Sequence, residues 1–176
     1  MSIAAARLDC RFTVLLDPTV SAELIDEATQ LGLEPAEHMA DILTNQVMPQ
    51  LRAKDPTLAD RLAADARIRA AAGRISELLA KRNGVQHDHT LRVFQELREN
   101  HSSDYLRATE CKTGFEGGST LKHRLNLALG AISKRAAHAK VCKTANGLPD
   151  KIRNIRGEFC GSVTMLEPGY DSDKQD

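Results

Sequence analysis

Three groups of residues in this chain have types and spacings that could support chemistry. The first is His87-Asp88-His89, with His101 further along, a cluster with metal-binding or acid-base character. Two imidazoles at i and i+2 suit a strand better than a helix start, and no carboxylate-histidine pattern of a metalloenzyme follows. Asp88 reads more simply as a helix cap, with the histidines exposed in a loop. The second is Gly117-Gly118-Ser119-Thr120 before a helix start, where backbone amides could hold an anion. It lacks the Gly-Lys-Ser/Thr of a nucleotide P-loop and has no convincing strand before it, so it reads as a loop.

The third group is cationic. Lys122, Arg124, Lys134, Arg135, Lys140, Lys143, Lys151, Arg153 and Arg156 face Asp150 alone across residues 119–156, a local balance of +8. That density could form a phosphate-tracking surface. The plainer alternative is a basic helix face that is solvated or packs beside acidic residues. On a 3.6-residue wheel Arg124, Arg135 and His138 fall within about 60° of one another, with Lys134 beside them. The chain as a whole is neutral, 24 basic against 24 acidic residues, so the basic end is offset elsewhere. Residues 1–66 carry five Lys/Arg against eleven Asp/Glu. A polyanion would prefer the carboxyl-terminal end.

The elements that must position these groups are mainly helical. Four Phe, two Tyr and no Trp leave a core built from Leu, Ile, Val and Ala. In Arg11 to Leu16, alternation puts Phe12, Val14 and Leu16 on one face of a strand and Arg11, Thr13 and Leu15 on the other. Asp17-Pro18 starts a helix with Val20, Leu24, Ala28 and Leu31 on one stripe, ended by Gly32. Pro35 opens a second helix with Met39, Ile42, Leu43 and Val47, stopped by Pro49. Asp55-Pro56 begins a long Ala-rich helix that runs to Asn83-Gly84. Two further helices are predicted over 88–99 and 103–110. Ser119 or Thr120 caps another, with Leu121, Leu125, Ala128, Leu129, Ile132 and Ala136 as its stripe. Residues 141–156 read as a basic connection, 159–166 as one strand, and 168–176 as a disordered polar tail.

Strand, helix, Gly-containing turn and helix at this spacing resemble the ribbon-helix-helix family of DNA-binding proteins, the group of the Arc and methionine repressors. The residues that carry the resemblance are Phe12, Val14 and Leu16 on the strand, Val20, Leu24 and Leu31 on the first helix, Gly32-Leu33 in the turn, and Met39, Ile42 and Leu43 on the second helix. It covers residues 9–47, and no family is identified from Leu51 onward. The resemblance implies an intertwined homodimer whose paired strands enter the major groove. By it Arg11, Thr13 and Leu15 face the bases, and the amide end of the second helix at Pro35 and Ala36 meets a phosphate. Leu15 offers only apolar contact, and Glu34 occupies a turn where a small hydroxyl residue would better admit a phosphate.

The expectation is therefore a mostly α protein. An amino-terminal ribbon-helix-helix unit occupies residues 1–50, the long helix 51–84, and a helical domain with a basic face and possible short strand 85–167. No apolar run approaches the ~18 residues of a membrane span, and residues 1–6 are too short for the apolar region of a signal peptide, so a cytoplasmic protein is expected. Cys10, Cys111, Cys142 and Cys160 are scattered without a Cys-x-x-Cys pair, which fits reduced thiols. The expected function is sequence-specific binding of double-stranded DNA by a homodimeric transcriptional regulator, with no catalytic residues, metal or cofactor. The basic face of Lys122, Arg124, Lys134, Arg135, Lys140 and Lys143 would add phosphate contacts. An antitoxin or dimeric interaction protein, whose carboxyl-terminal region holds a protein partner, is the alternative; a small hydrolase or nuclease using His87, His89 and His101 is another.

Overall fold

The computed structural model describes residues 16–31, 33–114, 119–153 and 155–169. The chain divides into two compact units, residues 1–45 and 46–176. Its described elements are α1 (Pro18–Gln30), α2 (Pro35–Lys54), α3 (Pro56–Asn83), α4 (His89–Thr109) and α5 (Thr120–Ala136), then β1 (Ala139–Val141), β2 (Lys151–Arg153), β3 (Ser162–Thr164) and β4 (Leu166–Pro168).

This order corrects the ribbon-helix-helix expectation. Every described strand lies at residue 139 or later, the helices precede them all, and Leu16, the described member of the expected amino-terminal strand, is not in a strand. The other residues of that strand, Arg11 to Leu15, and the turn residue Gly32 lie outside the described residues. A six-residue alternation is a weak periodic signal, and the helix pair that follows it is a common arrangement.

Both expected helices after it are present. Asp17 caps α1, its carboxylate accepting from the Thr19 amide at 2.9 Å, with Pro18 in the first turn. The first unit buries little: among its described residues only Ala28 and His38 are buried, and His38 Nε2 meets Glu27 Oε2 at 2.9 Å. Helix α2 does not stop at Pro49 but continues to Lys54. Proline removes the bond to the carbonyl four residues back, here Asn45, and that residue is where the chain divides into its two units.

The second unit is organised by α3. Asp55 accepts from the Leu58 amide at 3.0 Å to start it, and Gly84, at φ 65°, ends it with its amide bonded to Ala80. Helix α4 returns antiparallel along it, because Ser76 meets His89 near the turn and Arg67 meets Asp104 far from it. The two separate helices predicted over 88–110 are one helix bent at His101, whose φ of −134° is non-helical. Helix α5 packs on α3 beside Gly73, where a Cβ would meet Ile132 at an ordinary contact distance of 3.6 Å. Ile68, Ala71, Ala72, Val93, Phe94, Leu97, Leu125 and Leu129 form the core between the three helices.

Residues 141–156, expected as a basic connection, contain β2 and the end of β1, and the single strand expected over 159–166 is divided between β3 and β4. Lys140 pairs with Glu167 in the antiparallel β1–β4 ladder, and Ile152 with Val163 in β2–β3. Met165 joins the ladders: its carbonyl accepts from Cys142 and its amide donates to Asp150. Residues 144–148 form an exposed turn closed by the Thr144 amide donating to Leu148 O, with Gly147 at φ 75°. Pro168, expected in a loose tail, belongs to β4. No described helix is long and apolar enough to cross a membrane.

Candidate nucleic-acid interface

The cationic groups are held by α5 and by the strands beside it. Ser119 starts the helix, its hydroxyl accepting from the Lys122 amide, and Leu125, Leu129 and Ser133 turn inward. Asn126 is fixed from below. Its amide nitrogen donates to Phe159 O at 3.1 Å, and its carbonyl oxygen accepts from the Tyr105 hydroxyl at 2.8 Å. Tyr105 stacks on Phe159 with ring centroids 3.8 Å apart, which ties α4, α5 and the segment before β3 together. Burial among these groups pushes the Tyr105 hydroxyl well above its usual range and the Cys160 thiol up to about 12.

With its inner face anchored in this way, α5 presents its outer face to a groove of about 840 Å³. The opposite wall comes from β1, β2 and the β3–β4 segment. Lys122, His123, Lys134 and Lys151 supply its basic side chains, and no carboxylate is among the described residues that line it. Gly130 and Ala131 leave the middle of the helix face low, with exposed Leu127 beside them.

The expected site residues are distributed unevenly around this groove. Lys122 and Lys134 line it. Arg124 and half-buried Arg135 sit about 100° round the helix from its centre line, so they flank it instead. Lys140 is exposed on β1 opposite Glu167, and Lys143 is exposed at the base of the 144–148 turn. Pro35 and Ala36 form the first turn of α2 in the other unit, while Arg11, Thr13 and Leu15 lie outside the described residues. His123, Ser162, Thr164 and Thr90 line the groove without having been singled out by sequence reasoning. Lys151, one of the basic residues named from sequence, lines it too, held by β2, where Lys151-Ile152-Arg153 alternates exposed and half-buried as a strand should.

Neither the family models, the curated proteins nor the solved structures contain a match to this chain. Its function is therefore argued from its own residues.

The histidine cluster separates into different environments. His87 is exposed, with Nδ1 3.3 Å from the Cys142 sulfur. That thiol is pushed up by burial and by Glu167 and Asp150, so it stays protonated at neutral pH. His89 is buried against Ser76, and His101 marks the bend in α4. Ser76 Oγ spends its proton on Ser133 O at 2.7 Å, so its 2.8 Å contact with His89 Nε2 requires that nitrogen to carry the hydrogen. The result is a helix-to-helix tie joining α3, α4 and α5, with imidazole kept neutral by burial. No group of three His, Cys, Asp or Glu side chains among the described residues could hold a metal ion.

Proposed function

We propose that this protein binds DNA, and that it does so through the groove along α5. The observation that carries this reading is the pairing of shape with charge: a concave surface with Lys122, His123, Lys134 and Lys151 in its lining and no carboxylate among the described residues that line it. Phosphates lying in such a groove displace condensed counterions, which is where sequence-independent DNA affinity arises. Lys143, Arg153 and Arg156, all exposed on the hairpins beyond the groove, extend the positive field past its ends. This reading places the DNA contact in the second unit, away from the amino-terminal strand expected by resemblance.

Fluorescence anisotropy with a labelled duplex over a series of salt concentrations tests it. Lys134→Gln and Lys151→Gln should each weaken binding and each reduce the slope of log K against log salt by about 0.9. Equal slopes for the variants and wild type, or no binding of either duplex or single-stranded DNA at low salt, would reject the groove as a DNA site.

A second reading rests on the first unit. Val20, Ile25, Leu31, Ile42 and Leu43 are exposed there, and large apolar side chains left at the surface mark interaction sites. We read these helices as a protein contact surface, with a second copy of the chain as partner. Sedimentation equilibrium of Leu31→Ser and Leu43→Ser should then show dissociation relative to wild type; a wild-type monomer at all concentrations rejects it.

A further inference from the structure

The floor of the groove holds a feature that charge does not account for. Thr90, in the first turn of α4, lines the groove, is only 3% exposed, and its Oγ1 has no hydrogen-bond partner among the described residues. A threonine in a helix can satisfy its hydroxyl on a carbonyl one turn back. The Gln86 carbonyl one turn back instead receives the His89 amide at 2.9 Å, and Thr90 Oγ1 makes no such bond. Buried hydroxyls are normally paired, so an orphan on a residue that lines a cavity points to a group that enters from outside. Around it the walls are apolar: Phe94 one turn along the same face of α4, then Val163 and Leu166 from the strands. Lys134 and Lys151 stand in the same lining.

A ligand that fits this sequence of surfaces has a polar edge, a flat apolar body and an anionic end. A nucleotide has all three, with the volume well inside what a groove of about 840 Å³ admits. In a duplex the base edges are recessed between two backbones, and proteins read them with side chains that protrude into a groove. Thr90 is short and lies at the bottom of a concavity, so it cannot reach such an edge. The base must come to it.

We infer that the groove takes an unpaired nucleotide of single-stranded DNA, its base directed to Thr90 between apolar walls and its phosphates held by Lys134 and Lys151. The inference rests on the reading of this groove as the DNA site. A hydroxyl both donates and accepts, so any base edge can satisfy it and sequence preference is weak. Unstacked bases entering an apolar pocket are the general way in which proteins reach base atoms that a duplex hides.

The test compares oligo(dT) with an A·T duplex of equal length, using full-length wild type, Thr90→Val, Thr90→Ser, Lys134→Gln and Lys151→Gln. Valine keeps the shape of threonine and removes a hydroxyl that has no partner in the free protein, so Thr90→Val should melt no lower than wild type. It should bind oligo(dT) roughly three- to tenfold more weakly, the loss of one hydrogen bond, with the salt slope and duplex affinity unchanged. Thr90→Ser, which keeps the hydroxyl, should restore single-strand affinity, and that comparison decides the matter if the valine variant folds poorly. Wild-type affinity of Thr90→Val for oligo(dT), or an equal loss on strand and duplex, overturns the role of Thr90 while leaving the groove as a DNA site. If wild type binds neither strand nor duplex, or the lysine variants weaken neither, the DNA reading itself falls and this inference with it.

Discussion

The two units of this chain put their side chains to opposite uses. In residues 16–45 the large apolar groups Val20, Ile25, Leu31, Ile42 and Leu43 face solvent, and burial is confined to Ala28 and His38. In the second unit Ile68, Phe94, Leu97, Tyr105 and Leu129 are buried, and the groove presents Lys122, His123, Lys134 and Lys151 to solvent beside exposed Leu127. Charge follows the same division, acidic in residues 1–66 and basic in 119–156. A unit with a packed core can hold side chains still enough to shape a concave surface. A pair of amphipathic helices with little core derives its stability from whatever covers it.

The sharpest break in that comparison is a matched pair of truncations. Phe94→Ala, at the centre of the second unit, should cost about 3–5 kcal/mol, because the cavity left between α3, α4 and α5 cannot collapse. Ile25→Ala, on an exposed face of α1, should cost well under that in a monomer, within about 0.5 kcal/mol. Urea titration followed by circular dichroism measures both. A large loss from Ile25→Ala would mean that the apolar face of α1 is covered in solution.

Gly114 gives the next largest effect. It holds φ 77°, and a Cβ there would lie 2.7 Å from two ring atoms of Phe159. Gly84 has a similar φ of 65° with nothing within 4 Å. Gly84, with ψ 173°, lies in a region of backbone space essentially reserved for glycine, so Gly84→Ala should cost that backbone strain alone, about 1–3 kcal/mol, whereas Gly114→Ala adds a clash with Phe159, which is pinned by Tyr105 and Asn126. Thermal melts of the two variants separate the steric from the conformational part.

Acid should act on the second unit through His89. Burial holds this imidazole below its ordinary 6.5, with the positive charge of Arg92 adding to the effect. The unfolded chain therefore binds a proton more readily than the folded one, and the stability that neutral His89 contributes is present above about pH 6.5 and is lost progressively below it. Glu158 works the other way: burial pushes its carboxyl above 4.5, so as the pH falls toward 4.5 the folded state takes up that proton first and gains. The melting temperature should thus begin to fall below about pH 6.5, and His89→Gln, whose amide can still donate to Ser76, should remove that part of the slope. An unchanged slope in the variant would assign the acid sensitivity elsewhere.

How far the sequence disclosed all this depends on whether the signal was local. Helix α3 was legible at both ends because Asp55-Pro56 and Asn83-Gly84 act through their own backbone chemistry. The bend at His101 divided one helix into two predicted ones, since a pattern interrupted for a turn is indistinguishable from a loop. Helix α2 ran through Pro49, which local rules treat as a stop. Strands β1 and β2 were hidden by their lysines and arginine, residues depleted in strands in general but suited to one exposed face, whereas the strand predicted over 159–166 covers β3 and reaches β4. At the groove, sequence marked Lys122 and Lys134 by density of charge. It could not distinguish them from Arg124 and Arg135 on the flank, because the centre line of α5 is set by packing against α3 and α4. Thr90 carried no local signal, being an ordinary first-turn residue until the strands fold over it.

The smallest effect sets one cap against another. Asp55 accepts a hydrogen bond from the Leu58 amide and satisfies one of the donors exposed at the start of α3, so Asp55→Ala should cost about 1 kcal/mol. Asp88 precedes α4 in the same way and was expected to cap it, yet its side chain makes no cap hydrogen bond and turns to Arg92 at 3.0 Å instead. An exposed pair one helical turn apart contributes only about 0.3–0.5 kcal/mol. Asp88→Ala should accordingly cost less than half as much as Asp55→Ala, and adding salt should narrow its deficit while leaving that of Asp55→Ala nearly unchanged. Equal, salt-independent losses in urea titrations would mean that Asp88 caps α4 in solution and that the start of the helix carrying Thr90 is arranged differently from the one seen here.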